Sequence, residues 1–227
     1  MPGESELQSS YRRVWEAFTR ASSTADGRHD TPRWRGSSGP YAACIVRVPV
    51  EALQPQLSGV RESLQGLPEV RLHPDKFLHI MLQELGFVVD HPSRRDEISS
   101  VRLEEFAQSA VDPASSSSPF EISLGPVNAF EDAVFLETGG GASLDKLHNR
   151  LFELAAIPSE PDYSYLPHCT VAHFTGISST ESAVAALSPF RSGTLGTLKV
   201  TEIEIVTMDA TEPYPDLVSY AVIPLGK

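Results

Sequence analysis

From Tyr41 onward, short apolar runs of two-residue period alternate with runs of helical period, separated by polar breaks rich in Pro, Gly or Ser. YAACIVRVPV (41–50) reads as a strand, and EALQPQLSGVRESLQGL (51–67) as helical stretches interrupted by Pro55 and Gly59. KFLHIMLQELGF (76–87) reads as a strand. DEISSVRLEEFAQSAV (96–111) reads as a helix offering Ile98, Val101, Leu103 and Phe106 to a core. DPASSSSP (112–119) has the composition of a flexible turn. FEISLGPVNAF and EDAVFLETG then predict a hairpin. ASLDKLHNRLFELAAI (142–157) predicts a helix with Leu144, Leu147, Leu151 and Leu154 on one side and Ser143 as its N-cap. PHCTVAHF predicts a strand, STESAVAAL a short helix, and GTLKVTEIEIVTMD and DLVSYAVIPL two closing strands.

Residues 1–40 stand apart from this alternation. SYRRVWEAFTRA predicts a helix with Tyr11, Val14, Trp15 and Phe18 along one side, either docked on the main body or mediating dimers, and the polar stretch after it reads as a linker or wrapping arm. The element order over 41–227 describes an α+β fold. It is bilobal, with two pseudo-symmetric halves, each having a mainly antiparallel sheet and outer helices. The expected geometry is two sheets facing one another across a central groove, with one histidine-bearing strand in each.

Composition narrows the function classes. With 30 acidic against 18 basic residues, the net charge of −12 argues against a broad nucleic-acid surface, because duplex binding relies on many Lys and Arg phosphate contacts. A polynucleotide partner would be held at its end. The two cysteines, Cys44 and Cys169, lie in apolar runs without metal-site spacing and read as buried free thiols. No membrane span is expected, and the first residues lack the basic start and apolar core of a secretory signal, so a cytoplasmic location is expected. A monomer is favoured.

Two strands carry the chemistry. On a regular strand alternate residues share a face, so Phe77, His79, Met81 and Gln83 fall together, as do His168 and Thr170, opposite Cys169, Val171 and His173. Each strand thus turns an apolar side to the core and a histidine away from it. Two imidazoles across a groove make an acid–base couple, since histidine's ordinary pKa of about 6.5 leaves both protonation states accessible near neutrality. A hydroxyl two residues along, Thr170, suits a non-bridging phosphate oxygen. His173 reads as a core histidine, and His29, His73, His91 and His148 as solvated residues of loops or a helix face. Lys76 reads equally as a surface lysine or a phosphate contact at the groove mouth. Tyr163 and Tyr165 precede the second motif and read as packing residues leading into the strand, with stacking on a base as the alternative. GGGA (139–142) reads as a strand–helix turn, because it lacks the ending of a nucleotide P-loop.

HIML (79–82) and HCTV (168–171), with Gly86 after the first and Pro167 before the second, resemble the paired H-x-[T/S]-x motifs of the two-histidine phosphoesterase superfamily. That superfamily includes the bacterial 2′-5′ RNA ligase and cyclic phosphodiesterase proteins, and the resemblance spans roughly residues 41–225. It implies a bilobal α+β fold and metal-independent hydrolysis of 2′,3′-cyclic phosphates on a nucleotide or RNA end, with 2′-5′ ligation as the reverse reaction. It implies no metal and no cofactor. His79 and His168 would be the catalytic pair, and Thr170, Met81, Lys76 and Tyr165 substrate-binding residues. The departure is Met81, a thioether where the pattern has a hydroxyl. It raises a second expectation, a weakly active or inactive module that binds a nucleotide or phosphometabolite.

Overall fold

The computed structural model describes residues 6–28, 39–140, 142–157 and 164–226. Its elements run α1 (Glu6–Arg20), β1 (Tyr41–Arg47), α2 (Gln56–Gln65), β2 (Val70–Leu72), β3 (His79–Val88), β4 (Glu97–Ile98), α3 (Ser100–Ser115), β5 (Phe120–Ala129) and β6 (Ala133–Gly139). There follow α4 (Ala142–Ala155), β7 (His168–Phe174), α5 (Thr180–Leu187), β8 (Gly196–Val200), β9 (Glu202–Met208) and β10 (Val218–Pro224).

The α+β class is as expected. The strands form one sheet in the order β10-β9-β1-β3-β7-β6-β5-β8, with β2 on β7 and β4 on β3, rather than two sheets facing one another. All pairings are antiparallel except β3 with β4. The two groups of four strands are not consecutive in the chain, since β9 and β10 return to β1 and β3. A single residue, Thr201, separates β8 at one edge from β9 beside the other edge, where sequence predicted one continuous strand. A linker that short requires the sheet to curl until its edges approach. Gly196 on β8 fits this crowding: a Cβ there would meet the Ala52 carbonyl oxygen at 1.7 Å.

One face of the sheet packs against α2, α3, α4 and α5 in a continuous apolar core that includes Cys44, Leu78, Ile80, Leu82, Leu136 and Cys169. Helix α4 supplies Leu144, Leu147 and Leu151, all fully buried, so truncating any one to Ala costs about 2–5 kcal/mol. That helix starts at Ala142, one residue before the expected cap Ser143. Helix α3 is capped by Ser99, whose side chain accepts from the Arg102 amide, and runs on through Pro113 into the expected turn. Leu103, Phe106, Ala107 and Ala110 take its inward face, which leaves Val101 67% exposed and outside the core. No helix among the described residues is long and apolar enough to cross a membrane.

Candidate active site

Strands β3 and β7 meet at the pair Ile80–Cys169, whose side chains are buried in the helix-covered core. In that antiparallel register His79 lies opposite Thr170 and Met81 opposite His168, all four on the other face of the sheet. The histidines are therefore diagonal neighbours, ordinarily separated by roughly 7–8 Å, a gap suited to a group bound between two imidazoles. All four side chains are partly buried.

Each histidine is held the same way. His79 Nδ1 lies 2.7 Å from the Phe77 carbonyl oxygen, and His168 Nδ1 2.7 Å from that of Leu166. A carbonyl only accepts, so Nδ1 carries the proton in both neutral rings and Nε2 holds the lone pair. The His168 ring sits against Phe130 and Phe135, with centroids 5.4 and 5.0 Å away. Burial there lowers its pKa below the ordinary histidine value, partly opposed by the Leu166 hydrogen bond and the charge of Asp132.

Both motif strands bulge at their fourth residue. Between Met81 and Gln83 strand β3 carries Leu82 as an extra residue against β1, and between Thr170 and Ala172 strand β7 carries Val171 as an extra residue against β6. Each bulge shifts the alternation by one. Gln83 turns into the protein and is 6% exposed, while Glu84 joins His79 and Met81 on the open face, contrary to the regular-strand expectation. His173 likewise joins Thr170's face, where its Nδ1 lies 3.1 Å from His73 Nε2. His73 and His148 are 2% and 4% exposed, so neither is solvated as expected. The carbonyls displaced at the first bulge are satisfied from the helix side: His148 Nδ1 donates to Leu82 O at 2.6 Å and the Tyr165 hydroxyl to Met81 O at 2.9 Å. At the second bulge the His73 amide donates to Val171 O at 2.8 Å.

A cavity of about 110 Å³ opens beside His79. It is lined by Thr170 and Met81, by Tyr41, His73, Phe77, Met208 and the 210–215 turn, and by the side chains of Glu84 and Glu212. Of the residues predicted from sequence, His79, Met81 and Thr170 converge there. His168 stands beside it on the same face without lining it, and Lys76 and Tyr165 stay outside it. Lys76 is exposed and pairs with Asp216 at 2.6 Å, and Tyr165 stacks on His148 with centroids 3.9 Å apart. Tyr163, His29 and the Gly141 of the GGGA run lie outside the described residues. Glu84, Glu212, Tyr41 and Met208 were not singled out from sequence, because the bulge and the returning strand β9 bring them to the cavity. Arg47, opposite His79 across the β1–β3 ladder, sends its guanidinium to both oxygens of Glu204 at 2.9 and 2.8 Å.

The other half of the open face is closed by α1. Asn128, Phe135 and Thr170 share that face by register. Asn128 Nδ2 donates to the Tyr11 carbonyl at 2.9 Å, and the Tyr11 ring packs on Phe135. The Tyr11 hydroxyl donates to the carbonyl of Pro167, the residue before His168, and accepts from the Thr138 amide at 3.1 Å. Arg191 lies over Trp15 and pairs with the buried Glu137 at 2.7 Å. The N-terminal helix thus docks on the main body and backs His168.

The family model of the 2′-5′ RNA ligase superfamily matches residues 49–212. No curated protein sequence matches significantly. Among solved structures, TT0787 of Thermus thermophilus aligns with a TM-score of 0.61 at 15% identity, covering 82% of this chain and 99% of that one. The crystal structure of a phosphoesterase aligns at 0.62 and 16% identity, covering 84% and 100%. E. coli LigT complexed with 3′-AMP aligns at 0.57 and 16% identity, with the same coverage. At such identities these structures speak to the shared fold.

Proposed function

The chain belongs to the 2′-5′ RNA ligase superfamily, and on that premise we propose that it is a cyclic phosphodiesterase opening 2′,3′-cyclic phosphates on nucleotides or RNA ends with His79 and His168 as the acid–base couple. Membership by itself supports a phosphoesterase-type function. The observation that carries the finer reading is the twinned arrangement of the histidines: diagonal neighbours on one face, each with Nδ1 tied to the carbonyl two residues earlier. A ring fixed through Nδ1 presents Nε2 in a set direction, which is what proton transfer at a bound phosphate needs.

In the hydrolytic direction one Nε2 takes a proton from water as the water oxygen bonds to phosphorus. The bond from phosphorus to one ribose oxygen breaks, and that oxygen takes the Nε2 proton of the other ring, which enters the step as imidazolium and leaves it as the neutral Nδ1–H form. Thr170, opposite His79, is placed to donate to a non-bridging oxygen. This scheme uses side chains alone and calls for no metal. LigT structures with nucleotide ligands in the same fold support a nucleotide or RNA end as the substrate.

The test is turnover of nucleoside 2′,3′-cyclic monophosphates, and of a short RNA ending in a cyclic phosphate, in excess EDTA. Wild type is expected to open the ring. His79→Ala and His168→Ala are each expected to lose about 100- to 10,000-fold in kcat, the range for a positioned acid or base. Met81 favours a second reading, a binding module of the same fold. Wild-type protein that binds these compounds without opening the ring would establish that reading.

A further inference from the structure

We infer that the cavity beside His79 is a nucleobase subsite that selects guanine, with Glu84 as the residue that reads the base. This deepens the phosphoesterase reading above and rests on it. His79 and Thr170 line the same cavity, so a nucleotide whose phosphate reaches the histidine couple has its base within reach of the remaining walls. Apart from the His73 ring, which is tied to His173, those walls are mainly flat and apolar: Tyr41, Phe77, Met81, Met208, Pro213 and Pro215. Such a slot accommodates a planar ring by stacking and van der Waals contact.

The carboxylates decide which ring. Glu84 and Glu212 reach the cavity, and an ionised carboxylate only accepts hydrogen bonds. They repel a phosphate, so the anionic end of a nucleotide is directed to the histidines and the base to the slot. Glu84 stands there because of the bulge at Leu82; on a regular strand Gln83 would occupy that face. The buried Tyr41 hydroxyl hydrogen-bonds the Glu84 carboxylate and orients it.

Guanine presents N1–H and the 2-amino group side by side, two parallel donors that match the two oxygens of one carboxylate. Adenine and cytosine present a single amino group beside a ring-nitrogen lone pair, which a carboxylate oxygen repels. Uracil presents one N–H between two carbonyls. A site that reads donors rejects a base lacking them more strongly than it rejects a change of size. The expected order is guanine first, adenine and cytosine next, uracil last. Met81 then has a use that a threonine lacks, as part of the apolar wall.

The experiment uses the full chain and two readouts. The first is kcat/KM on the four nucleoside 2′,3′-cyclic monophosphates. The second is equilibrium binding of guanosine, adenosine, cytidine and uridine 3′-monophosphates. Wild type is expected to prefer the guanosine compound over the uridine one by at least about tenfold in both, the effect of one hydrogen bond to a charged group. Glu84→Gln replaces one acceptor by a donor, and the preference is expected to move from guanine toward adenine, a reversal that a merely structural role would not produce. Equal turnover of all four compounds would overturn the subsite and leave the esterase standing. Selective guanosine binding without ring opening would support the subsite and overturn the esterase. A guanine preference that survives Glu84→Gln would overturn Glu84 as the reading residue. Neither binding nor turnover of any compound would overturn both.

Discussion

Tyr165 stacks on His148 with ring centroids 3.9 Å apart and planes 9° from parallel, and the two rings between them satisfy the carbonyls of Met81 and Leu82. The first motif's bulge is thus supported from the helix-covered side of the sheet. The residues that hold it are a helix histidine and the tyrosine leading into the second motif.

Tyr165→Phe keeps the stacking and removes the donor to Met81 O. Leaving that backbone acceptor unsatisfied is expected to lower stability by about 1–3 kcal/mol. Urea denaturation read by fluorescence measures it. An unchanged midpoint would mean that the hydroxyl does not support the bulge.

Burial sets the pKa of both His148 and His168 below the ordinary histidine value. The unfolded chain then binds protons more readily than the folded one at and below about pH 6.5. Stability is complete above that pH and declines as pH falls toward the depressed folded values. Thermal unfolding between pH 8 and 5 is expected to show a falling Tm on the acid side, and NMR titration to place the His168 midpoint under about 6.5. A His168 midpoint above that ordinary value would contradict the burial of its ring between Phe130 and Phe135.

Met81 lies opposite His168 as Thr170 lies opposite His79. Met81→Thr would supply a second hydroxyl at the mirror position, and kcat on cyclic phosphates is expected to rise by about tenfold, the value of a hydrogen bond to a charged group. Thr170→Val is expected to lower kcat by a similar factor. Steady-state kinetics on both variants checks the pair. A Met81→Thr variant with unchanged kcat would mean that the phosphate does not approach residue 81.

Tyr11 ties the N-terminal helix to the strand that carries His168. Burial pushes its phenol up to about 12, partly opposed by the Thr138 hydrogen bonds. Ultraviolet titration should therefore show a tyrosine ionising well above the ordinary phenol value of about 10. Tyr11→Phe removes the donor to Pro167 O and the acceptor for the Thr138 amide, and is expected to cost about 1–3 kcal/mol. Tyr11→Ala also empties the space against Phe135, and a loss of about 3–5 kcal/mol follows from large-to-small truncation of a buried aromatic. Both are measurable by chemical denaturation. A native midpoint in the alanine variant would show that α1 is not part of the folded unit.

Much of the fold follows from residue order. The periodicity fixes which segments are helices and which are strands. The twinned H-x-x-x motifs mark His79 and His168, and their alternation puts Ile80 and Cys169 in the core. Those features are local, because a period of two or of 3.6 is written in neighbouring residues.

What needed the tertiary structure is non-local. Thr201 separates two strands that belong at opposite ends of the curled sheet, since pairing is decided by which backbone lies alongside rather than by apolar pattern. Tyr11, more than a hundred residues away in sequence, backs His168 through contacts that no spacing announces. The bulges at Leu82 and Val171 are the sharpest case. One extra residue against a neighbouring strand reverses the side chains that follow it, until a second shift such as the one at Leu85 restores the alternation. That reversal takes Gln83 off the open face and puts Glu84 on it, and it moves His173 from the expected core side to the open face of the sheet, where it is buried against His73. The sequence by itself determined the two histidines; the ladder each strand joined decided what surrounds them.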